Sequence, residues 1–197
     1  IDASDVQVDL ETSDVDLALR YAMPAGATQG GIRLFGEQLA VVASPWLLKS
    51  GKPLRTPADV AQFTLIEAGD AHRTHYLEYL SWRRWFDTRD LTKLQPQRWL
   101  YFNYAHQIVQ AALAGQGLAL ARMPLIADAL AAGDLVEVLP GHRIDSPLAY
   151  WLMVGPRSAQ RPEIKAFCAW LQVQAEATRQ AIGDVPDPDL NDNLDGS

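Results

Sequence analysis

The sequence has little of what many functional classes require. Its single cysteine, Cys168, allows neither an internal disulfide nor a zinc site built from cysteines, and its helical setting predicts a small buried residue. No apolar run approaches the ~18 residues of a membrane span, and we expect no signal peptide. The HExxH, GxSxG and P-loop motifs are also absent. We therefore expect no cofactor, no metal and no catalysis.

Basic residues are missing from both ends of the chain. The 197 residues include 24 acids and 17 bases, which gives a formal net charge of −7. Residues 1–16 hold six acids and no Lys or Arg, and residues 184–197 hold five more acids and again no base. The body between them is mildly basic, with 13 acids against all 17 bases. An overall acidic chain is a poor candidate for binding a phosphate backbone by itself, and residues 184–197 are predicted to be a disordered acidic tail.

Apart from these absences, the composition is ordinary for a globular protein, with 48% hydrophobic and 21% charged residues. Short apolar runs alternate with helical stretches along the chain. Helix starts are indicated by Ser44-Pro45, by Met123-Pro124 and by Arg161-Pro162, and Gly133 indicates a stop. This alternation predicts an α/β fold with a mainly parallel sheet. The run at 39–43, LAVVA, is apolar throughout, which is typical of a strand covered on both faces.

The order of the predicted elements indicates two lobes. Residues 39–139 contain enough strands and helices for a complete small α/β lobe. The flanking pieces, 1–38 and 140–183, are each too short, so we expect them to pair as the other lobe. The chain would then cross between the lobes twice, and a cleft between such lobes is a natural place for a small molecule.

Candidate binding groups are helix starts and the ends of strands. Ser44 and the pair Asn103-Tyr104 each follow a strand and begin a helix, where unpaired N–H groups and the helix dipole favour a small carboxylate. Arg20-Tyr21, after the strand DLAL, is a further candidate for the rim of the cleft. Each of these positions can also be an ordinary cap or strand end.

Two other clusters have simple structural explanations. His72 and His75 are three residues apart and could share a metal on a helix, but their surroundings favour a solvated loop. The aromatic-basic segment at 82–86, WRRWF, could stack on bases. An amphipathic helix over HYLEYLSWRRWF explains that segment better, with Tyr79, Trp82 and Phe86 facing inward.

Seven segments in order resemble one known family. They are DVDLALRY (14–21), GIRLFGEQLAVVASPWLL (31–48), GKPLRTPADV (51–60), TLI (64–66), WRRW (82–85), AALAGQGLAL (111–120) and AAGDLV (131–136). Together they are similar to the effector-binding domain of LysR-type transcriptional regulators, and most similar to the subgroup typified by the glycine-cleavage activator. The resemblance implies two Rossmann-like lobes joined by two crossing strands, as in type 2 periplasmic-binding proteins.

The resemblance also implies a binding function without chemistry. In this family a small-molecule coinducer occupies the cleft and changes the arrangement of a homodimer or tetramer on DNA, in the cytoplasm and without a membrane partner. The positions that match the lining of the cleft are Ser44, Pro45, Asn103, Tyr104, Arg20, Tyr21 and Tyr150. The expected ligand is a small anionic metabolite, and a Ser44→Ala change is expected to weaken it.

Two family features have no counterpart in the chain. The DNA-binding helix-turn-helix is absent, so DNA contact would need a domain outside this sequence. The first strand and helix of the first lobe are also absent, because Ile1 to Leu10 corresponds to the family's second strand. The chain, which begins with Ile1 rather than Met, is expected to be a piece of a longer protein.

Two other classes remain open from the sequence. A solute-binding protein of a transporter would have the same fold, and recovery of the preceding segment would distinguish the two by a helix-turn-helix or a secretory signal. An enzyme on the same scaffold is disfavoured by the lack of a recognisable nucleophile and base, and a turnover screen on small carboxylates would test it.

Overall fold

The computed structural model describes residues 1–3, 7–26, 30–49, 53–69 and 75–184. The described chain has the expected α/β fold. Short 3-10 helices cover Pro24–Gly26 and Pro57–Gln62. The other elements, in chain order, are β1 (Leu17–Ala22), β2 (Ile32–Ala43), α1 (Pro45–Leu48), β3 (Thr64–Ala68), α2 (His75–Glu78), α3 (Trp82–Asp87), β4 (Arg98–Phe102), α4 (Ala105–Leu113), β5 (Leu118–Arg122), α5 (Met123–Ala132), β6 (Val136–Glu137), β7 (Ile144–Val154) and α6 (Pro162–Ile182).

The chain divides into two compact units. Unit 1 consists of Ile1–Gly36 and the chain from Pro147 onward, and unit 2 consists of Glu37–Ser146. The changes of unit fall inside β2 and β7, so one strand leads into unit 2 and another leads out of it. The sequence predicts the changes of lobe at 38/39 and 139/140, and the structure has them at 36/37 and 146/147. The second predicted boundary precedes the observed one because the first residues of β7 belong to unit 2. Residues 185–197 of the predicted tail lie outside the described residues.

The sheet of unit 2 is mixed, whereas the sequence predicted a mainly parallel sheet. Its strand order is β2-β5-β3-β4, with β6 also paired to β2. The strand β3 is parallel to β4 and to β5, but β2 is antiparallel to β5 and β6. The prediction is wrong on this point because β2 enters from unit 1 in the opposite direction, and apolar patterning does not encode strand direction.

The core of unit 2 contains large aromatic side chains. The prediction that LAVVA is covered on both faces is confirmed, since Leu39–Ala43 are all buried. Trp82 and Trp85 pack against these strands with their rings 5.3 Å apart, edge to face. Each indole N–H donates to a carbonyl, Trp82 to Ile66 at 2.9 Å and Trp85 to His142 at 2.9 Å. These bonds satisfy the polar atoms that burial of tryptophan removes from water.

The segment predicted as one helix over HYLEYLSWRRWF is two short helices, α2 and α3. The break falls at Ser81, whose extended backbone and hydroxyl group cap α3 by accepting from the Arg84 N–H at 3.2 Å. The prediction missed this break because a serine cap inside an amphipathic segment leaves the spacing of the apolar residues unchanged. Trp82 and Phe86 face inward as expected, and Trp85 is also buried. The tryptophans are therefore not available to stack on nucleic-acid bases.

Unit 1 is built on β1, β7 and the first part of β2. Leu17–Ala22 pair with Ala149–Val154 in antiparallel register, and β7 is the neighbour of β2. The long helix α6 packs Ala175 against Leu34 and Leu152. Residues 1–3 and 7–10, which correspond to a strand in the resemblance, are not in a strand. Among the described strands β1 pairs only with β7, so this segment adds no strand beside β1.

The helix α6 exposes more apolar surface than its sequence pattern predicts. Ile164 and Ala175 face the core, but Phe167 and Trp170 are exposed, with their rings 5.5 Å apart. Cys168 is half-buried rather than buried, and packs at the edge of the same core. The helix therefore buries a narrower stripe than its apolar positions indicate.

Candidate functional site

The carboxyl ends of three parallel strands meet at one edge of unit 2. β3, β4 and β5 end at Ala68, Phe102 and Arg122, and their parallel pairing places these ends at the same edge. The N–H of Gly69 donates to the carbonyl of Phe102 at 2.8 Å. A Cβ atom at Gly69 would lie 3.3 Å from Oδ1 of Asn103, so the glycine leaves room for that amide. Ligands bind at this kind of edge in open α/β sheets.

Asn103 and Tyr104 lie between β4 and α4 at this edge. Both side chains are exposed, and Tyr104 is the N-cap, with φ −126° and ψ 143°. Its N–H donates to Oε1 of Gln107 at 3.2 Å, and its ring stacks on His106 with 5.7 Å between centroids. The prediction that α4 begins here is confirmed. The positive end of the α4 dipole is therefore directed to the same edge as Asn103.

Arg122 places a guanidinium, paired with a carboxylate, at this edge. It is the last residue of β5, and its Nε donates to Oε1 of Glu37 at 2.5 Å. The Glu37 side chain is fully buried and that of Arg122 is 18% exposed. Glu37 is the first residue of unit 2, so the ion pair ties the entry of β2 to the end of β5. Sequence reasoning missed this pair; the available signal was a lone carboxylate in the apolar segment FGEQLAVVA.

A second buried carboxylate, Glu67, lies one residue before the end of β3. It is 3% exposed, and its Oε1 accepts from the N–H of Trp82 at 2.7 Å. Tyr101 is its register partner on β4. Burial, and then the negative charge of Glu67, raise the pKa of Tyr101 above its usual value. Glu67 therefore holds the start of α3 against β3. Its negative charge also disfavours ionisation of the Tyr101 hydroxyl.

The structure does not bring Ser44 and Pro45 to this edge. They follow β2, which is antiparallel to β5, so they lie beside the start of β5, at the edge opposite Asn103. Ser44 is 3% exposed, and its hydroxyl accepts from the Leu47 N–H at 3.2 Å. The helix that it caps has only four residues. Ser44 is thus a structural cap, and the expectation that it faces a ligand together with Asn103 is corrected by the strand direction.

In unit 1, the structure brings Tyr21 and Tyr150 together. They are register partners on β1 and β7, with ring centroids 4.9 Å apart, and Phe35 lies 4.5 Å from the Tyr150 ring. Arg20 precedes Tyr21 on the strand and therefore points to the opposite face. Its guanidinium donates to the carbonyl of Val8. Arg20 is thus separated from the tyrosine pair.

The described residues were predicted to contain neither a metal-binding cluster nor a membrane-spanning helix. No cluster of three or more His, Cys, Asp or Glu residues there could hold a metal ion. His72 lies outside the described residues. None of the described helices has the length and apolar character needed to cross a membrane.

Two units are joined by strands that pass from one to the other, and in unit 2 the carboxyl ends of β3, β4 and β5 meet at one edge. These features define a binding domain of the periplasmic-binding-protein kind. Residues 1–176 match the family model "LysR substrate binding domain". The chain belongs to this family. The resemblance stated from the sequence is therefore confirmed, and so is its implied fold.

The curated relatives that match this chain include transcriptional activators. The glycine cleavage system transcriptional activator of Escherichia coli (strain K12) is 32% identical over 180 residues, which cover 91% of this chain and 56% of that protein. The Haemophilus influenzae homolog of that activator is 28% identical over 162 residues, covering 82% of this chain and 50% of its own length. The chain thus spans about half the length of the curated relatives it matches. Both relatives are named as transcriptional regulators and not as enzymes.

Solved structures agree with the fold. The effector domain of the transcriptional regulator AmpR of Pseudomonas aeruginosa is 27% identical, with a TM-score of 0.63 over 89% of this chain and 79% of that chain. The AmpR effector-binding domain of Citrobacter freundii has a TM-score of 0.62 at 23% identity and supports the fold alone; it covers 87% of this chain and 80% of that chain.

Proposed function

We propose that this chain is the sensing part of a DNA-binding transcriptional regulator, and that it binds a small anionic metabolite between its two units. The observation that carries the proposal is the group of Asn103, Tyr104 and Arg122 at the carboxyl edge of unit 2. Tyr21 and Tyr150 would contribute from unit 1. Ser44, Pro45 and Arg20 are left out of this site because the structure gives each of them another role or direction.

The groups at the carboxyl edge of unit 2 favour an anionic ligand. The N–H groups in the first turn of a helix lack intrahelical acceptors, and the dipole adds positive potential there. Arg122 presents a guanidinium that is already paired with Glu37, and its five N–H donors can serve more than one acceptor. The Asn103 amide can donate to the same ligand or accept from a second polar group on it. Tyrosine rings from unit 1 would exclude water and strengthen these bonds.

The regulatory role rests on the relatives. They are named as transcriptional regulators and are about twice as long as the matched region. We infer that DNA contact resides in the part of the full-length protein that this chain does not include. A ligand would then signal through a difference in its affinity for two arrangements of the domain, since equal affinity shifts no equilibrium. A homodimer or tetramer is the expected form of the regulator.

Calorimetric titration with a panel of small carboxylates, including amino acids, tests the proposal. In Asn103→Ala we expect the affinity of a hit to fall by about tenfold or more, because the site then lacks a hydrogen-bond partner for the ligand. The matched control is Ser44→Ala, which removes a helix cap at the opposite edge. It should cost about 1 kcal/mol of stability and leave the affinity unchanged.

The reverse pattern would overturn the site. If Ser44→Ala weakens the ligand and Asn103→Ala does not, binding occurs at the other edge of unit 2. If the panel yields no ligand and the intact domain binds none in native mass spectrometry, the sensing function is rejected for these chemical classes.

A further inference from the structure

In unit 1, the end of α6 is fastened to the first crossing strand. Asp184, two residues after α6, accepts from Nη1 and Nη2 of Arg33 at 3.2 Å each and from the N–H of Gly36 at 2.8 Å. The guanidinium of Arg179 donates to the carbonyl of Leu34. A Cβ atom at Gly36 would collide with the Arg33 guanidinium, so the absent side chain lets the ion pair lie against the strand. Residues 33–36 of β2 are therefore held by unit 1.

In unit 2, a separate set of bonds begins at the very next residue. Glu37 forms the buried pair with Arg122. Gln38 donates from Nε2 to Oδ1 of Asp145 at 2.7 Å and accepts from Nη1 of Arg143 at 3.3 Å. Arg143 is itself held by two bonds to Glu137, at 2.8 and 2.7 Å. Residues 37 and 38 are therefore held by unit 2.

We propose that these two sets of bonds confine bending of the first crossing strand to the two backbone torsions between them, ψ of Gly36 and φ of Glu37. Hinges are a few residues that absorb changes in φ and ψ. The Gly36 N–H is bound on the unit 1 side and the Glu37 side chain on the unit 2 side, so ψ of Gly36 and φ of Glu37 lie between the two anchored groups. Gly36 has the widest backbone freedom of any residue type. Asp184 and Arg122 are positioning residues that set the two limits of the hinge. The hinge itself needs no ligand, and its use in signalling rests on the proposed function.

Backbone NMR of the unaltered chain gives the first test. We expect microsecond-to-millisecond exchange, measured by relaxation dispersion, at the amides of Gly36 and Glu37. Leu34 and Leu39 should show none. Dispersion spread evenly along the strand, or confined to residues 39–43, would overturn the proposal.

Two variants test the limits of the hinge by amide hydrogen exchange. In Asp184→Ala, exchange should rise by about tenfold or more at residues 34–36, while residues 39–42 stay unchanged, because a charged hydrogen bond is lost on the unit 1 side. In Arg122→Met, exchange should rise at residues 37–39 and not at 34–36. If either variant loosens both segments, the strand is one continuous element and the proposal fails.

The chain offers a matched control for the first variant. Asp134 also follows a left-handed glycine at a helix end, Gly133 with φ 76°, as Asp184 follows Gly183 with φ 74°, but Asp134 is exposed. Asp134→Ala should leave exchange in β2 unchanged. Asp184→Asn and Glu37→Gln keep the side-chain volume and replace the alanine and methionine variants if those do not fold.

Discussion

At the scale of single residues, the lack of a side chain is as informative as its presence. Gly117 lies just before β5, and a Cβ atom there would overlap the main-chain carbonyl of Thr64 on β3. The carbonyl cannot move away without disturbing the pairing of β3 with β5. Gly133, by contrast, has open space around its Cα and is a glycine because of its positive φ.

We therefore expect Gly117→Ala to lower the free energy of unfolding by about 3 kcal/mol, the upper end of what overpacking costs. Gly133→Ala should lower it by only about 1 kcal/mol, the cost of a left-handed alanine. Urea titrations of the two variants measure both values. Equal losses would show that the strand–strand contact at Gly117 is not as close as described.

At the scale of elements, sequence patterns locate helices and strands well but do not orient them. Ser44, Arg122 and Arg161 are N-caps at or beside the predicted starts, and the stop at Gly133 is confirmed by its left-handed backbone. The break at Ser81 was missed because a cap inside an amphipathic pattern changes no periodicity. Ser44 and Asn103 looked equivalent as caps after strands, and only the antiparallel course of β2 separates them.

The 3-10 helix Pro57–Gln62 depends on one carboxylate. Asp59 accepts from the N–H of Thr56 at 2.8 Å and of Arg55 at 2.9 Å, and these bonds, the Thr56 bond first, lower the pKa of Asp59. A lowered pKa in the folded state favours folding above the unfolded-state pKa of about 3.9. This contribution is lost as the pH falls through the lower folded value.

We expect the amide resonances of Arg55 and Thr56 to titrate together in NMR spectra, with a midpoint below the usual pKa of aspartate. In Asp59→Asn the same resonances should not respond to pH in this range, because the variant has no proton to gain. A midpoint at or above the usual value would contradict the two N–H bonds.

At the scale of the whole molecule, unit 2 is one continuous stretch of chain and unit 1 is not. Leu17 of β1 pairs with Val154 of β7, with all of unit 2 between them in sequence. Closing so long a loop costs more conformational entropy than forming the local β3-β4-β5 contacts. The sequence predicts that the flanking pieces pair as one lobe, since each of them is too short to form a lobe alone.

We expect unit 2 to become protected first when the denatured chain refolds. Pulsed hydrogen exchange should show protection of amides in β3 and β5 before those in β1 and β7. Simultaneous protection of all four strands would show that the two units fold as one cooperative body.

The division of unit 1 also has a consequence during synthesis on the ribosome. β1 emerges with the first part of unit 1, but its partner β7 emerges only after unit 2 has been made. At common translation rates this interval is on the order of ten seconds. During it the largely apolar strand LALRYA has both of its edges unpaired, whereas β7 covers one of them in the folded domain. Unpaired strand edges are the kind of surface that aggregates by edge pairing. The nascent chain, more than the finished domain, is therefore where this architecture is vulnerable.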